Sequence, residues 1–594
     1  MFYPTFDLAA ECLGEGGQYL VVDDPAERIL YDPLGLVQEV AGQLGEPVSV
    51  DRVRFVEGTG IYEVQSHKGN LKVRSFTWAV PGRPALVRAF EVATLKGNAS
   101  TARLFPSVGL KSLAETEGSI YLSRLSERRW MAVTAAGAVA AMTGSPTRII
   151  RHPSPLVTGE HASVPTRVTF RVDRSLPAGG YSEPAQLVLA FGRSRDDALK
   201  ELRRTVQGIT GARAACQRHW TQWHAQGELL APAPGDELDY LWRVSMTLMR
   251  TSLQDDLLPG PVGFLPYQGN LWVRDAVLVV GALARAGHVG LAHQSLGRLL
   301  EILHRRPDGN FFFSYNLATG LPTEHSHEND TTGLILTAAA DVAERLGPEA
   351  VRAHLPILAQ SVRWILEHRD NTGFVEPCSG ISEVFGPHLG QDPEHMVWTS
   401  GISAWGLRAI ARHLVALGET ELGRRAQEGA TQLRTVLGIA QRNQVLCRSL
   451  ESAALDPSVL HLFLDYPLLS DPEVLRATVE AMMRRLKDPV LGGIWRSDQL
   501  VTEEGDLRPW SHYTFLLARA LLRVNRRAEA RELLEVGLSF RSECGLIPEL
   551  LYSRDMARAP GLSSFGQASL VDALRAFYPR RLTGPASAPP SGPA

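Results

Sequence analysis

The hydrophobic period of this chain changes once, at Arg195, and that single change limits the folds open to it. Before it, apolar and polar residues alternate with a period of two in SVDRVRFVEG (49–58), GIYEVQSHKG (60–69), LKVRSFTWAV (71–80), PALVRAFEVA (84–93), SIYLSRLS (119–126), RWMAVTAAG (129–137), TRVTFRV (166–172) and AQLVLAFG (185–192). Alternate side chains point to opposite faces of a strand, so such runs bury one face and wet the other. Many short strands parted by Gly, Pro and Asn predict an all-β antiparallel sandwich over residues 1–194. After Arg195 the period is near 3.6. RDDALKELRRTVQGITGARAACQRHWTQWHAQ reads as a linker helix and APAPGDE as a break, together spanning 195–235. From Asp236 to Pro579 roughly a dozen helical segments follow one another with no strand between them. Paired helices of this kind build either an open solenoid or a closed α/α toroid. No fixed-period self-similarity is visible, and the loops at Leu303–Thr331 and Asn371–Thr399 are long, which favours the toroid. RRLTGPASAPPSGPA, 580–594, has the composition of a disordered tail.

A chain of 594 residues is too long for one ordinary core, which agrees with two domains. The net charge of −3 and pI of 6.6 give no reason to expect nucleic acid or an anionic membrane surface as a partner. No run is long and apolar enough to predict a membrane span. The start, MFYPTFDLAAECLGEGG, lacks the basic and apolar regions of a signal peptide. Cys12, Cys216, Cys378, Cys447 and Cys544 are scattered and odd in number, which fits reduced thiols and a cytoplasmic protein. Oligomeric state is left open.

Chemistry-bearing residues gather at the mouths of the helical segments. NLWVRDAVL puts Trp272, Arg274 and Asp275 at the front of an apolar helix. Taken alone, this is also how an acid complements a helix dipole beside a salt-bridged arginine. HSHEND precedes another helix and ends in Asp330. It lacks the i, i+4 histidine pair of helical zinc motifs, and no metal is expected. TGFVEPCSGISEVFG carries Glu376 and Glu383 in a Gly/Pro/Ser loop, and GLIPELLYSRD carries Glu549. GGIWRSDQL and RPWSH add Arg496 and Trp510. Two loop carboxylates from distant parts of a chain are what glycoside hydrolysis needs, one to protonate the departing oxygen and one to activate water. Tryptophans offer flat platforms for sugar rings, and Arg and Asp offer directional bonds to hydroxyls. The same composition also describes solvated surface loops, so the residues alone leave both readings open. No cysteine pairs with a histidine as a nucleophile would, and no Gly-rich phosphate loop follows a strand.

In order as well as in kind, these segments resemble glycoside hydrolase family 15, the glucoamylase family. RVSMTLMRTSLQ with NLWVRDAVL is similar to its first barrel helix and W-x-R-D segment, and HENDTTGLIL to its Q-x-D-G segment. SGISEVFG with VWTSGISAWGLRAIAR resembles the catalytic-acid loop and following helix, and LDPSVLHLFLDYPLLSDPEVLRATVEAM resembles the L-D-x-S-x-L run. GGIWRSDQL with RPWSHYTFLLARALL looks like G-G-x-x-R-Y with G-x-P-W, and GLIPELLYSRD with LSSFGQASLVDAL looks like the segments bearing the catalytic base. The resemblance covers about 236–578 and implies an (α/α)6 barrel that acts on oligosaccharide or disaccharide α-glucosides, exo-acting and inverting, without a cofactor. Bacterial members also carry an N-terminal β-sandwich and linker helix.

Carried over, Glu549 is the general base and Glu383 the general acid, with Glu376 its rival. Trp272, Arg274, Asp275, Asp330, Arg496 and Trp510 line the sugar subsite. Three departures stand out: Ser382 replaces the Trp before the acid, Glu328 replaces the Gln of Q-x-D-G, and the W-S-H-A segment reads FGQA from Phe565. These keep open a catalytically silent glycan-binding or regulatory homologue. A sandwich-plus-barrel disaccharide phosphorylase would put a phosphate site where Glu549 stands. A barrel-type polysaccharide lyase would need a basic cleft, which the composition does not suggest.

Overall fold

A computed structural model of the chain describes residues 5–7, 19–24, 27–31, 39–40, 43–44, 49–68, 71–94, 101–104, 107–110, 115–117, 120–126, 129–136, 140–144, 166–177, 180–253, 270–303, 305–316, 321–323, 328–378, 392–498, 508–541, 544–551 and 564–584. The chain forms two compact units. The first comprises Met1–Ala225 with Phe264–Pro266 and Ser542–Leu546, and the second comprises Gln226–Gly263, Tyr267–Arg541 and Ile547–Ala594.

The first unit is built on an antiparallel sheet with strand order Glu115–Glu117, Ile120–Ser126, Arg129–Ala136, Ala185–Gly192, Ala85–Thr94, Leu71–Ala79, Tyr62–Lys68, Ser49–Phe55. A second antiparallel sheet includes Thr101–Leu104, Thr166–Ser175, Ser107–Leu110 and Ala140–Gly144. All eight alternating runs are therefore strands. In Ala85–Thr94 both faces are buried, Leu86, Phe90 and Val92 on one side and Val87 and Ala89 on the other, which is why the run looks less strictly alternating. The segment expected as one linker helix is two, α1 (Arg195–Gln207) and α2 (Ile209–His224), parted at Gly208. Ser194 caps α1 by accepting the Asp197 N–H, and α1 packs on strands 129–136 and 185–192.

The second unit is helical: α3 (Leu238–Ser252), α4 (Val273–Arg285), α5 (Val289–Ile302), α6 (Thr331–Leu346), α7 (Leu355–Glu367), α8 (Val397–Ala416), α9 (Thr420–Val436), α10 (His461–Leu464), α11 (Pro472–Arg485), α12 (Ser511–Arg523), α13 (Arg527–Ser539) and α14 (Ser564–Phe577). Helix α4 packs on α6, α6 on α8, α8 on α10 and the 3-10 turn Pro457–Leu460, α10 on α12, α12 on α14, and α14 back on α4. Helices α5, α7, α9, α13 and α3 lie against α4, α6, α8, α12 and α14 respectively. Burial separates the two groups. Ten consecutive residues of α6, Thr331–Ala340, are buried, whereas α9 buries only a stripe of Leu422, Gly423, Ala426, Gly429, Ala430 and Leu433. Glycine permits a close crossing: a Cβ on Gly406 of α8 would lie 2.6 Å from the Gly333 carbonyl oxygen of α6. No helix among the described residues is long and apolar enough to cross a membrane.

Candidate active site

Polar and aromatic side chains collect where α4, α6, α8, α12 and α14 begin. Trp272 is extended (φ −100°, ψ 126°), because strand Asn270–Trp272 pairs with Ser314–Asn316 and the Val273 N–H donates to the Phe313 carbonyl at 2.8 Å. That pairing sets where α4 starts and puts Arg274 and Asp275 in its first turn. Asp275 is buried, and Arg274 Nη1 donates to Glu328 Oε2 at 2.6 Å, Glu328 being 1% exposed.

The strip Glu328–Asn329–Asp330 enters α6 held by several side chains. Arg306 donates to the Glu328 carbonyl at 3.3 Å, and Asn310 Nδ2 donates to Asn329 Oδ1 at 3.2 Å. Thr332 Oγ1 donates to Asn310 Oδ1. Trp398, in the first turn of α8, donates its indole N–H to Asp330 Oδ2 at 2.8 Å, while Asp330 Oδ1 is buried with no hydrogen-bond partner among the described residues. Burial pushes the Asp330 carboxyl up, and the charge of Arg274 and the Trp398 bond pull against it.

Three extended segments supply the opposite side. Ile494 bridges to Trp510 and Trp510 to Leu550, with the Trp510 N–H donating to the Ile494 carbonyl at 2.8 Å. This aligns Arg496, Trp510 and Glu549. The Arg496 guanidinium lies 4.6 Å from the Trp510 ring centroid. Glu549 is buried, and its carbonyl accepts from the Ser511 N–H at 3.0 Å. Gln567 of α14 donates to the Ile547 carbonyl at 3.0 Å and accepts from Ser245 Oγ at 2.9 Å, tying the Glu549 segment to two helices.

Tyr513 links the two sides. Burial pushes its hydroxyl up, and the charges of Arg496, Asp456, Arg274 and Asp275 all act on it. Residues nearly 240 positions apart in sequence thus share one electrostatic neighbourhood. Asp456 caps the 3-10 turn Pro457–Leu460, accepting the Ser458 N–H at 2.8 Å with Oδ1, and its Oδ2 is buried without a hydrogen-bond partner among the described residues. Burial pushes this carboxyl up too, opposed by its Ser458 bonds and by Arg496 and Arg448.

Of the sequence candidates, Trp272, Arg274, Asp275, Asp330 and Trp510 lie at these helix starts, and Arg496 and Glu549 lie on the extended segments that bridge to Trp510. Glu376 is exposed at the edge of the same region, its carbonyl accepting from Asn329 Nδ2 at 3.4 Å. Glu383 and Ser382 lie outside the described residues, as do His325, Ser326 and His327. Asp456, Trp398 and Tyr513 were not singled out. The Asp-Pro pair at 456–457, a capping acid followed by Pro at the first helical position, is the signal that marked the first of them.

The chain is 13% identical to a bacterial glucoamylase solved in complex with acarbose, with 95% of this chain and 93% of that one covered and a TM-score of 0.66. The fold is glucoamylase-like. A glycosidase matches at 19% identity, covering 58% of this chain and 99% of that chain, with a TM-score of 0.48. A family 78 rhamnosidase of Bacillus sp. GL1 matches at 12% identity, covering 81% and 46%, with a TM-score of 0.45. No protein-family model matches the sequence. No curated protein matches it either.

Proposed function

We propose that this protein is an exo-acting, inverting glycoside hydrolase that releases glucose from oligosaccharide or disaccharide α-glucosides. Its second unit is read as an (α/α)6 barrel, supported by the circuit of contacts from α4 through α14 back to α4. The first is read as an antiparallel sandwich, supported by its two sheets. The observation that carries the function is the stacking of Arg496 on Trp510 beside the Glu549 segment, with the charges of Arg274, Asp275, Asp456 and Arg496 all acting on Tyr513.

In this reading the terminal sugar sits against Trp272 and Trp510. Its hydroxyls donate to Asp275 and Asp330 and accept from Arg274 and Arg496. Glu383 gives a proton to the departing glycosidic oxygen as the C1–O bond breaks. Glu549 takes a proton from the water that attacks C1 from the opposite face, so the product has inverted configuration. The two carboxyls would stand roughly 6.5–9.5 Å apart to admit that water. The two carboxylates carry both proton transfers, so the reading needs no cofactor. Glu376 is the alternative acid.

The Arg274–Glu328 ion pair favours one second reading, a silent glycan-binding homologue, because the guanidinium that would grip a sugar is already engaged. Sugar release from a panel of α-1,4-, α-1,6- and trehalose-type glucosides, followed by NMR, separates the two. The reading expects β-glucose first, and a fall of about 100- to 10,000-fold in kcat for Glu549→Gln. First-formed α-glucose, or undiminished turnover in that variant, defeats it. Binding without release supports the silent homologue.

A further inference from the structure

His395 stands where three segments of the second unit cross. Its backbone N–H donates to Glu451 Oε2 at 3.0 Å, its ring Nδ1 meets Glu451 Oε1, and its ring Nε2 meets Asp370 Oδ2 at 2.5 Å. Met396 bridges to Ser449, the Val397 N–H donates to the Arg448 carbonyl at 2.9 Å, and the Leu450 N–H donates to the His395 carbonyl at 3.1 Å.

With both carboxylates ionised, a proton count gives the state of the ring. Ionised carboxylates only accept hydrogen bonds. Asp370 Oδ1 already accepts from the Thr372 N–H at 2.8 Å and from Thr372 Oγ1 at 2.5 Å, and Glu451 Oε2 accepts from the His395 backbone. Both ring nitrogens therefore donate, and the ring is an imidazolium between two carboxylates. Other charges nearby are spoken for: Arg448 forks onto Glu394 at 2.7–3.1 Å, and Arg442 donates to the Leu450 carbonyl at 3.0 Å. Burial alone would lower the affinity of the ring for its proton, but the bonds to Glu451 and Asp370 raise it above the usual histidine value.

What the clamp fastens is the segment that packs on the start of α8. Cys378 and Glu394 exchange backbone hydrogen bonds of 2.9 and 3.2 Å next to it. The Val375 N–H donates to Ser400 Oγ at 3.1 Å, so the segment following Asp370 is held to the first turn of α8. That turn carries Trp398, whose indole holds Asp330. We infer that His395 is a positioning residue: as an imidazolium bridging Asp370 and Glu451, it fixes the start of α8 against segment 370–378 and so sets the Trp398–Asp330 contact. Its bearing on turnover rests on the reading of Asp330 as a sugar ligand.

The clamp has a pH window. A histidine raised in the fold contributes stability fully below its unfolded value of about 6.5 and loses it as pH rises through the folded one. Asp370 and Glu451 are lowered against their own burial, Asp370 by Thr372 and His395 and Glu451 by His395, so their share is lost only as acid reaches the folded carboxylate values.

The test uses the full chain and His395→Gln. The melting temperature of the wild type should fall from about pH 6 to pH 9 more steeply than that of the variant. The indole N–H resonance of Trp398, assigned with Trp398→Phe, should shift in the variant. kcat should fall about 10-fold with KM within about 3-fold, as expected when a remote change misplaces a sugar ligand. If His395→Gln does not fold, Glu451→Gln keeps the Asp370 contact, and ring NMR should then find His395 titrating at lower pH than in the wild type. Parallel melting curves with an unmoved Trp398 resonance, or an unshifted ring titration, overturn the inference. A wild type that releases no sugar defeats the hydrolase reading instead, and the melting and resonance readouts still decide the clamp.

Discussion

Asp275 and Asp330 are both buried carboxyls at helix starts, yet their surroundings ask different things of them. Asp275 sits in the first turn of α4, where a negative charge complements the helix dipole. Were that its only task, Asp275→Asn would cost up to about 1 kcal/mol of stability and leave turnover alone. As a sugar ligand it makes a charge-assisted bond worth about 1.5–3 kcal/mol in the transition state. kcat/KM should then fall about 10- to 150-fold while the melting temperature holds. Steady-state kinetics beside calorimetry decides, and unchanged turnover returns the residue to a helix-end role. Asp330 is raised by burial, so the folded state binds its proton more tightly than the unfolded chain does. Its contribution to stability is present below the unfolded carboxylate value and lost as pH rises through the folded one. Asp330→Asn, which cannot ionise, should therefore melt no lower than the wild type at about pH 8 while activity drops. A clearly lower melting temperature there would mean that Arg274 outweighs burial and keeps Asp330 charged.

At the scale of elements, the α6–α8 contact governs the site, because α6 begins just after Asp330 and α8 carries Trp398. Gly333 and Gly406 let these helices approach: a Cβ on Gly333 would lie 2.7 Å from Ser403 N, and one on Gly406 2.6 Å from the Gly333 carbonyl oxygen. Backbone cannot yield as a flexible side chain can, so Gly406→Ala should cost about 1–3 kcal/mol in denaturant unfolding. It should also weaken turnover by spreading the Trp398–Asp330 pair. Gly290 of α5 has nothing within 4 Å of its would-be Cβ, so Gly290→Ala is the matched control and should be neutral or slightly stabilising. Equal losses in the two variants would dismiss the close crossing as the cause. Sequence periodicity showed both helices plainly. Their glycines were invisible as contacts, since a glycine on a helix looks the same whether it faces water or another backbone.

Across the second unit, buried ion pairs join helices far apart in the chain. Arg285 of α4 forks onto Asp572 of α14 at 2.9 and 2.6 Å, which links the two ends of the helical circuit. Arg519 of α12 pairs with Asp465 just past α10, and His461 Nδ1 meets the same carboxylate at 2.5 Å. Burial alone would push the Asp465 carboxyl up, but Arg519 and His461 hold it well below the usual carboxylate range. Its stabilisation is thus present above about pH 4 and lost only in stronger acid. Asp572→Ala leaves Arg285 without its partner and should cost about 3 kcal/mol in urea unfolding, the lower end for a broken buried pair because Arg285 is 21% exposed. A loss below about 1 kcal/mol would class the pair with exposed ion pairs.

Local chemistry alone determined much of this molecule. Period-two alternation located eight strands but not the short Glu115–Glu117, Thr101–Leu104, Ser107–Leu110 and Ala140–Gly144, and period 3.6 located the helices, because both follow from where successive Cβ atoms point. Capping and breaker residues marked most boundaries, yet Gly208 splits the expected linker helix, where a glycine between two good helix formers reads as merely tolerated. Motif order brought Arg274, Asp275, Arg496, Trp510 and Glu549 forward as candidates; the structure places Arg274, Asp275 and Trp510 at helix starts and Arg496 and Glu549 on the extended segments that bridge to Trp510. Tertiary packing decided the rest. His461 and Asp465 sit in LDPSVLHLFLDYP, which reads as a mostly apolar run, and only their distant partners His512 and Arg519 give their polarity a purpose. Likewise Glu328 reads as a solvated loop acid until Arg274 is found against it. A buried charge is tolerable only beside its counter-charge. The partner lies tens or hundreds of residues away, so no local pattern can name it.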